Sequence, residues 1–351
     1  MDGLAALTII TGLNGSCKSA LVDALLVAAS PAPGDAVGRV IARQRTVARG
    51  VHWLWHRSQR QDQSEQALVA ARSSEGWWLA RWMERGASEN GGTCVEVTEL
   101  AGTDADGYPP TDRPGRPARS GLMASIDSAE RLLEDRQTDA PVWNVVVTDQ
   151  NKYVVRQDQI SGRDLAGTWR FVKLIDPADV RPLVTSFSEA ERGGFGEELD
   201  ALIDPLGYNR LKIMEDPGGG SFSLYVTPKG SVPVPVAIAG DGVYSLLQTA
   251  IHLATVPKGL ALLEEPEVFQ HPRSLGPCAR AIIGAVERGV QVVVTTHSQE
   301  LIDQLLIQAG DDRAERIAQF TVSMSEGTLH SYRLAGAKLL EARWTLGEDL
   351  R

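Results

Sequence analysis

Cysteine is scarce in this sequence. The 351 residues include three cysteines, Cys17, Cys94 and Cys278, which lie far apart and form no C-x-x-C pair. A disulfide framework needs several cysteines, and a zinc knuckle needs closely spaced ones. The sequence therefore predicts neither, and it fits a protein of a reducing cytoplasm.

Long apolar runs and an excess of basic residues are also missing. No run approaches the roughly 18 residues that a membrane helix needs, and the opening stretch MDGLAALTIITG lacks the basic region of a signal peptide. The formal net charge of −10 argues against a protein whose whole surface binds nucleic acid. We therefore expect a cytoplasmic globular protein without membrane contact, in which a local basic face is still allowed.

A glycine-rich stretch near the beginning carries the first sign of function. Residues 12–19 read GLNGSCKS, which departs from the phosphate-binding pattern G-x-x-x-x-G-K-[ST] by Cys17 in place of a glycine. The apolar residues 7–10 predict a buried strand before it, and SALVDALLVAA predicts a helix after it. Strand, glycine turn and helix form the setting in which backbone N–H groups bind phosphate. Taken alone, the stretch also fits an ordinary glycine turn before a helix.

Two later strands are predicted to end in polar side chains. Residues 260–263 are apolar and lead into the adjacent carboxylates Glu264 and Glu265, and the run QVVVTT leads into His297. Two charges at the end of a buried strand are costly unless a metal and hydrogen bonds compensate. The pair therefore indicates a Mg²⁺ ligand beside a group that polarises water. The alternative interpretation is a surface turn at the end of the strand. His297 would lie at the strand edge where open parallel sheets bind ligands.

Glycines also precede another predicted helix. Gly240 and Gly242 open the segment AGDGVYSLLQTAIHLA, whose leucines, alanine and isoleucine make an apolar face. A glycine-rich helix start is a second place where an anion can bind. Because glycine before a helix is common, this feature gains its meaning from the other three.

Together and in this order, the four elements resemble the ABC-type ATPase heads, and most closely the AAA-like ATPases of the OLD and RecF/SMC-related group. The stretch from Pro266-Glu267 to Gln270-His271-Pro272 is similar to the "PE…LHP" of that group, and its "TTHS" is present as residues 295–298. The sequence GDG at 240–242 looks like its signature, and LGEDLR looks like its tail. The matches cover residues 5–30 and 200–310.

The resemblance implies a role for each matched residue. Lys18 would contact the β- and γ-phosphates of ATP and Ser19 would bind Mg²⁺. Glu264 would be the acid on the Mg²⁺ side, Glu265 the general base, and His297 the residue that senses the γ-phosphate. The remaining nucleotide contacts would come from the loop and, across a pair of subunits, from the signature: Gly12, Asn14, Gly15, Ser16, Cys17, Gly240, Asp241 and Gly242.

Two departures from the family pattern bear on turnover. Cys17 replaces a glycine, and the glutamine that links metal and sensor in the family is not identified. Gln157 and Gln159 follow an apolar run and are both candidates. The resemblance is therefore better supported for ATP binding than for fast hydrolysis.

The middle of the chain distinguishes this sequence from coiled-coil relatives, because it contains no sustained heptad run. Residues 39–60 carry six arginines and no acid. This suits either binding of single-stranded nucleic acid or an antiparallel strand pair beside the nucleotide, with its arginines solvated or paired with acids elsewhere. Residues 75–86 predict a short helix with Trp78 and Trp82 one turn apart, for core packing or for a partner. Residues 102–121 predict a loop, and residues 128–136 and 197–206 predict helices.

We expect an α/β P-loop NTPase fold, an ABC-ATPase-like head with a mostly parallel sheet, an antiparallel β edge and an inserted helical region. One domain would span 1–351, with its core built from 1–30 and about 200–351 and an insertion at about 31–199.

The expected function is an ATPase switch that uses ATP and Mg²⁺ and pairs into a homodimer or larger homo-oligomer. It would control a separately encoded protein effector, as in bacterial anti-phage defence. The alternatives are a DNA-maintenance ATPase binding nucleic acid through Arg39–Arg60 and a non-hydrolysing ATP-bound scaffold.

Overall fold

The computed structural model describes residues 3–43, 66–72, 77–86, 93–103, 142–147, 153–157, 171–176 and 183–351. In chain order the elements are β1 (Leu7–Thr11), α1 (Lys18–Ala29), α2 (Pro33–Arg43), β2 (Gln66–Arg72), β3 (Trp77–Gly86), β4 (Thr93–Thr103), β5 (Val142–Val147), β6 (Tyr153–Gln157), β7 (Val172–Ile175), α3 (Val184–Arg192), α4 (Gly196–Ile203), β8 (Tyr208–Glu215), β9 (Phe222–Pro228), β10 (Val234–Pro235), α5 (Asp241–Ala254), β11 (Leu260–Glu264), α6 (Pro272–Glu287), β12 (Gln291–Thr295), α7 (Gln299–Ala309), β13 (Ile317–Ser325), β14 (Thr328–Ala335) and α8 (Ala337–Leu340). By their internal contacts, residues 1–22 with 171–351 form one compact unit and residues 23–170 form another. No described helix has both the length and the apolar character needed to cross a membrane.

A six-stranded sheet organises the first unit. Its order is β14-β13-β1-β12-β11-β7, and each neighbouring pair is parallel except β13 with β14. The predicted α/β fold with a mostly parallel sheet and an antiparallel edge is therefore confirmed. The strands β1, β11 and β12 are buried along nearly their whole length, which explains why they read as continuous apolar runs rather than alternating ones.

Strand β1 lies at the point where the order of the sheet reverses. The chain builds β7, β11 and β12 on one side of β1 and then places β13 on the other side. Loops at the carboxyl ends of the strands diverge at such a point and leave a crevice for a ligand. The phosphate loop, which directly follows β1, therefore lies where this fold class binds its ligands.

Helices α5, α6 and α7 bury apolar faces in the core of this unit, and α3 and α4 add further buried apolar residues. The residues that the sequence predicted for the apolar face of α5 are all buried: Leu246, Leu247, Ala250, Ile251 and Leu253. Helix α7 begins after Ser298, whose Oγ accepts a hydrogen bond from the N–H of Leu301 at 3.1 Å. Ser298 is thus the N-cap of α7.

A β-hairpin turns at residues 216–220. Strands β8 and β9 pair antiparallel, and the carboxylate of Asp216 accepts hydrogen bonds from Ser221, Ser223 and Tyr225. These hydroxyl groups lower the pKa of Asp216 below its usual value. The helix predicted at 197–206 is present as α4 with a 3₁₀ turn after it.

The second unit contains a five-stranded antiparallel sheet in the order β2-β3-β4-β5-β6. The short helix predicted at 75–86 is wrong, because residues 77–86 form β3 and pair with both β2 and β4. Leu79, Arg81 and Met83 are buried at alternate positions, which is the period of a strand rather than of a helix. The side chains of Trp78 and Trp82 lie outside the described part.

The arginine-rich segment begins in a helix instead of a strand. Arg39 and Arg43 lie on α2, where Arg39 pairs with Asp35 at 2.7 Å and Arg43 pairs with Asp23. Residues 44–60 and the predicted helix at 128–136 lie outside the described residues, as does the predicted loop at 102–121 except for residues 102–103, which end β4. The proposed division into a core and an insertion stays a prediction.

Candidate nucleotide site

The phosphate loop connects β1 to α1 through three unusual backbone positions. Gly12 has φ 149°, and a Cβ there would lie 2.2 Å from the carbonyl oxygen of Val322. Gly15 has φ 83°, with no atom within 4 Å of a Cβ built on it. Cys17 has φ 64°, a left-handed conformation that costs an ordinary residue about 1–2 kcal/mol. The position that the pattern gives to glycine therefore does need glycine-like backbone here, and Cys17 occupies it under strain.

Lys18 is folded back onto its own loop. The side chain is buried, and Nζ donates hydrogen bonds to the carbonyl oxygens of Gly12 at 2.9 Å and Leu13 at 3.2 Å. Burial lowers the pKa of Lys18, while the nearby charges of Glu265 and Glu267 oppose that shift. The ammonium group thus lies between the loop that would hold phosphate and the acids that follow β11.

The loop also offers unused hydrogen-bonding groups to an anion. Ser16 is only 4% exposed, and its buried Oγ has no hydrogen-bond partner. The first N–H groups of α1, which begins at Lys18, have no partner within the helix. A helix N-terminus beside a buried hydroxyl without a partner is suited to bind a phosphate group. Asn14 and Ser19, the other polar residues of the loop, are exposed to solvent.

The predicted base and sensor are in contact. Glu265 follows β11 with φ 43°, and its N–H donates to the carbonyl oxygen of Thr295 at 3.0 Å. This bond ties the end of β11 to the end of β12, so Oε1 of Glu265 lies 3.1 Å from Nε2 of His297. Both side chains are about one third exposed, as expected for groups that must meet a substrate.

Glu267 is a site residue that motif reasoning did not single out. Its Oε1 accepts hydrogen bonds from Oγ1 of Thr296 at 2.6 Å and from the N–H of His297 at 2.8 Å. Its Oε2 is buried without a partner. Burial raises the pKa of Glu267 although both hydrogen bonds act in the opposite direction. The available signal was its place in Pro266-Glu267, but only the fold reveals that this carboxylate holds the sensor loop.

The glycine-rich helix start packs against the loop that follows the acids. Gly240 caps α5 with φ 110°, and Asp241 is exposed beside it. A Cβ on Gly242 would lie 3.0 Å from the carbonyl oxygen of Phe269, and Oγ of Ser245 donates to the carbonyl oxygen of Val268 at 3.0 Å. Residues 240–242 therefore pack against the acid loop, and no atom lies within 4 Å of a Cβ built on Gly240.

A magnesium site would draw on Ser19 and Glu264. Among the described residues no three His, Cys, Asp or Glu side chains are grouped as metal ligands. Mg²⁺ beside a nucleotide commonly takes one or two protein oxygens and completes its shell with phosphate and water. A hydroxyl in the first turn of α1 and a carboxylate at the end of β11 fit that donor set. Of the two glutamine candidates, Gln157 ends β6 and Gln159 is outside the described residues.

The predicted phosphate loop after the central strand, the acids after a second strand and the predicted sensor His297 after a third form the arrangement of a P-loop NTPase domain. A family model described as "AAA domain, putative AbiEii toxin, Type IV TA system" matches residues 111–303, more than half of the chain. The chain belongs to this family, which confirms the predicted resemblance to AAA-like ATPases.

Individual relatives extend the comparison. An uncharacterized protein of Methanocaldococcus jannaschii is 34% identical over 113 residues, which are 32% of this chain and 98% of that protein. A crystal structure of the Smc head bound to the C-winged helix domain of ScpA is 13% identical and has a TM-score of 0.48, with 93% of this chain and 90% of that chain covered. The SMC head domain from Thermotoga maritima is 14% identical, with a TM-score of 0.42 over 95% of this chain and 92% of that one.

Proposed function

We propose that this protein binds ATP with Mg²⁺, hydrolyses it slowly and uses the cycle as a switch. The observation that carries the proposal is the convergence of Lys18, Glu265, Glu267 and His297 at the carboxyl edge of the sheet. These four lie on three separate segments of the chain. Their convergence beside a helix N-terminus that can bind an anion supports phosphoryl transfer.

The geometry suggests how each group acts. The phosphate of ATP would take the N–H groups of α1 and the hydroxyl of Ser16, and Lys18 would exchange its bonds to Gly12 and Leu13 for phosphate oxygens. Bound Mg²⁺ would supply positive charge to the phosphates. Glu265 would accept a proton from the attacking water, whose oxygen bonds to the terminal phosphorus as the bond to the ADP oxygen breaks. His297 would fix the position of that water and phosphate.

A homodimer would complete the site. Residues 240–242 begin α5 with an exposed acid and glycine backbone, which supports contact with a nucleotide held by a second subunit. Their packing on residues 268–271 would let ATP in one subunit bias the acid loop of the other. Closure on ATP and opening after hydrolysis then make a two-state switch.

The switch would control a partner. The family description refers to a toxin of a toxin–antitoxin system, and such a system has a second component. That supports a separately encoded partner protein. We extend the proposal to an effector as that partner and to a role in bacterial anti-phage defence. The free thiols of Cys17, Cys94 and Cys278 support a cytoplasmic setting.

The two alternatives differ in support. For DNA binding, the described arginines of the basic segment, Arg39 and Arg43, are already paired with aspartates. For a non-hydrolysing scaffold, the strained Cys17 and the unidentified glutamine are favourable observations. Nucleotide turnover decides between the scaffold and the switch.

The test is ATP hydrolysis by the purified protein with Mg²⁺, beside Lys18→Ala and Glu265→Gln. We expect Glu265→Gln to lose about a hundredfold or more in kcat while ATP still binds, because a base is removed and the loop is kept. Lys18→Ala should lose ATP binding itself. Lys212→Ala and Glu287→Gln, at other sites of the same unit, serve as matched controls. Hydrolysis that survives both site variants would refute the assignment, and binding without turnover would establish the scaffold.

A further inference from the structure

A buried glutamine supports the strand that leads into the phosphate loop. Gln319 on β13 is 1% exposed, and its Nε2 donates to Oγ1 of Thr11 at 3.1 Å. Thr11 is the last residue of β1 and directly precedes Gly12. The same Nε2 also donates to the carbonyl oxygen of Leu350. One amide group thus connects the entrance of the phosphate loop to a segment 339 positions later in the sequence.

A second glutamine connects that segment to the sensor. Leu350 is buried, and its N–H donates to Oε1 of Gln299 at 2.9 Å. Gln299 is the first residue of α7 and lies two positions after His297. Its Nε2 donates to Asp303 at 3.1 Å, and Asp303 in turn accepts two hydrogen bonds from Arg343 at 2.6 and 2.8 Å.

These bonds form one continuous path, which we name the glutamine clamp: Thr11, Gln319, Leu350 and Gln299. We propose that the clamp is a positioning device that holds the phosphate loop and the sensor helix in fixed relation, with residues 341–351 as the strap between them. The proposal rests on the proposed ATP site. It assigns a role to Gln319 and Gln299, which lie outside the motifs that carried that proposal, and to Leu350 of the LGEDLR tail.

The polarity of Gln319 supports positioning rather than stability as its role. The residue is enclosed in the core, and its Oε1 is buried with no hydrogen-bond partner. An orphaned buried oxygen is unfavourable, and an apolar side chain of similar size would avoid that cost. Thr11 also meets Oγ1 of Thr321 at 3.3 Å, so β13 contacts the end of β1 through two polar groups. A leucine could fill the space of Gln319 but could not hold Thr11 and Leu350.

Gln319→Leu separates the two roles. We expect its melting temperature to stay within a few degrees of wild type, because the volume is kept and removal of the orphaned Oε1 offsets part of the cost of the two acceptors that lose their donor. We expect its dissociation constant for a fluorescent methylanthraniloyl-ATP to rise about tenfold, because displacement of a binding loop is costly. Gln299→Ala, which breaks the path at its other end, should act in the same direction. Gln308→Leu on the same helix is the matched control and should bind like wild type.

Hydrogen exchange of nucleotide-free protein tests the clamp even without ATP binding. Backbone amides of residues 12–19 and of the first turn of α7 should exchange faster in both clamp variants, and not in the control. If affinity and exchange stay at wild-type values while the melting temperature falls, the network only stabilises the fold and the proposal is overturned. If wild type binds no nucleotide, the ATP site fails while loop exchange still decides the clamp.

Discussion

Cys17 is the residue at which this phosphate loop departs from its pattern. Its φ of 64° explains why the pattern has glycine there: the turn needs left-handed backbone whichever side chain is present. The loop therefore keeps its shape at a conformational cost instead of changing shape. This distinction predicts different outcomes for two substitutions.

Cys17→Gly should stabilise the protein by up to about 1 kcal/mol, since relief of strain exceeds the extra entropy of glycine in the unfolded chain. It should also bind ATP at least as tightly. Cys17→Val should lose about 1–2 kcal/mol, because a branched side chain fits left-handed backbone poorly. Urea unfolding and nucleotide titration measure both effects. Equal stability of the valine variant would show that the backbone is relaxed.

Glu267 should reveal its burial through the pH dependence of stability. An acid whose pKa is higher in the folded chain than in the unfolded chain binds more protons when folded, so stability falls as pH rises through that window. At pH 7 to 8 we expect Glu267→Gln to be at least as stable as wild type. The difference should shrink as pH approaches the ordinary carboxyl pKa of about 4.3. Thermal unfolding of both proteins across this pH range measures the difference. A Glu267→Gln variant that is less stable than wild type at pH 7 to 8 would contradict the prediction.

Strand β3 carries a buried ion pair inside the antiparallel sheet. The side chain of Arg81 is 2% exposed, and it donates to Glu99 at 2.8 and 3.0 Å and to the carbonyl oxygen of Val27. Burial lowers the pKa of Arg81, and the charge of Glu99 opposes the shift. The guanidinium thus depends on one carboxylate of the neighbouring strand.

Glu99→Ala should destabilise this unit by about 3 kcal/mol or more, because it leaves a buried cation without its partner. The double variant Arg81→Met with Glu99→Leu should recover much of that loss. Seven of the eight tryptophans lie between residues 23 and 170, so tryptophan fluorescence during urea unfolding follows this unit. A double variant no more stable than Glu99→Ala would show that the charge is not the cause.

For the molecule as a whole, pairing on ATP is the central prediction. Glu265→Gln should keep ATP bound, so it should elute with Mg²⁺-ATP at twice the monomer mass by light scattering. Adding Asp241→Lys should shift the population back toward monomer by about tenfold, because it replaces the acid favoured at a positive helix end with a like charge and so disturbs the helix start that would face the partner's site. Asp312→Lys, also exposed, controls for the change in net charge. Dimers without ATP, or dimers insensitive to Asp241, would contradict the arrangement.

The buried strands, the helix after GLNGSCKS, the cap at Ser298 and the paired acids could be read from the sequence, because each is a local pattern of apolar period, turn chemistry or capping. Residues 75–86 could not, since tryptophans four positions apart fit a helix until neighbouring strands impose a period of two. The fold decided three other features. They are the contact of Glu265 with His297, the hydrogen bonds of Glu267 to residues 296 and 297, and the glutamine clamp. Their partners are tens to hundreds of positions apart, and only the stacking of parallel strands brings such distant carboxyl ends to one edge.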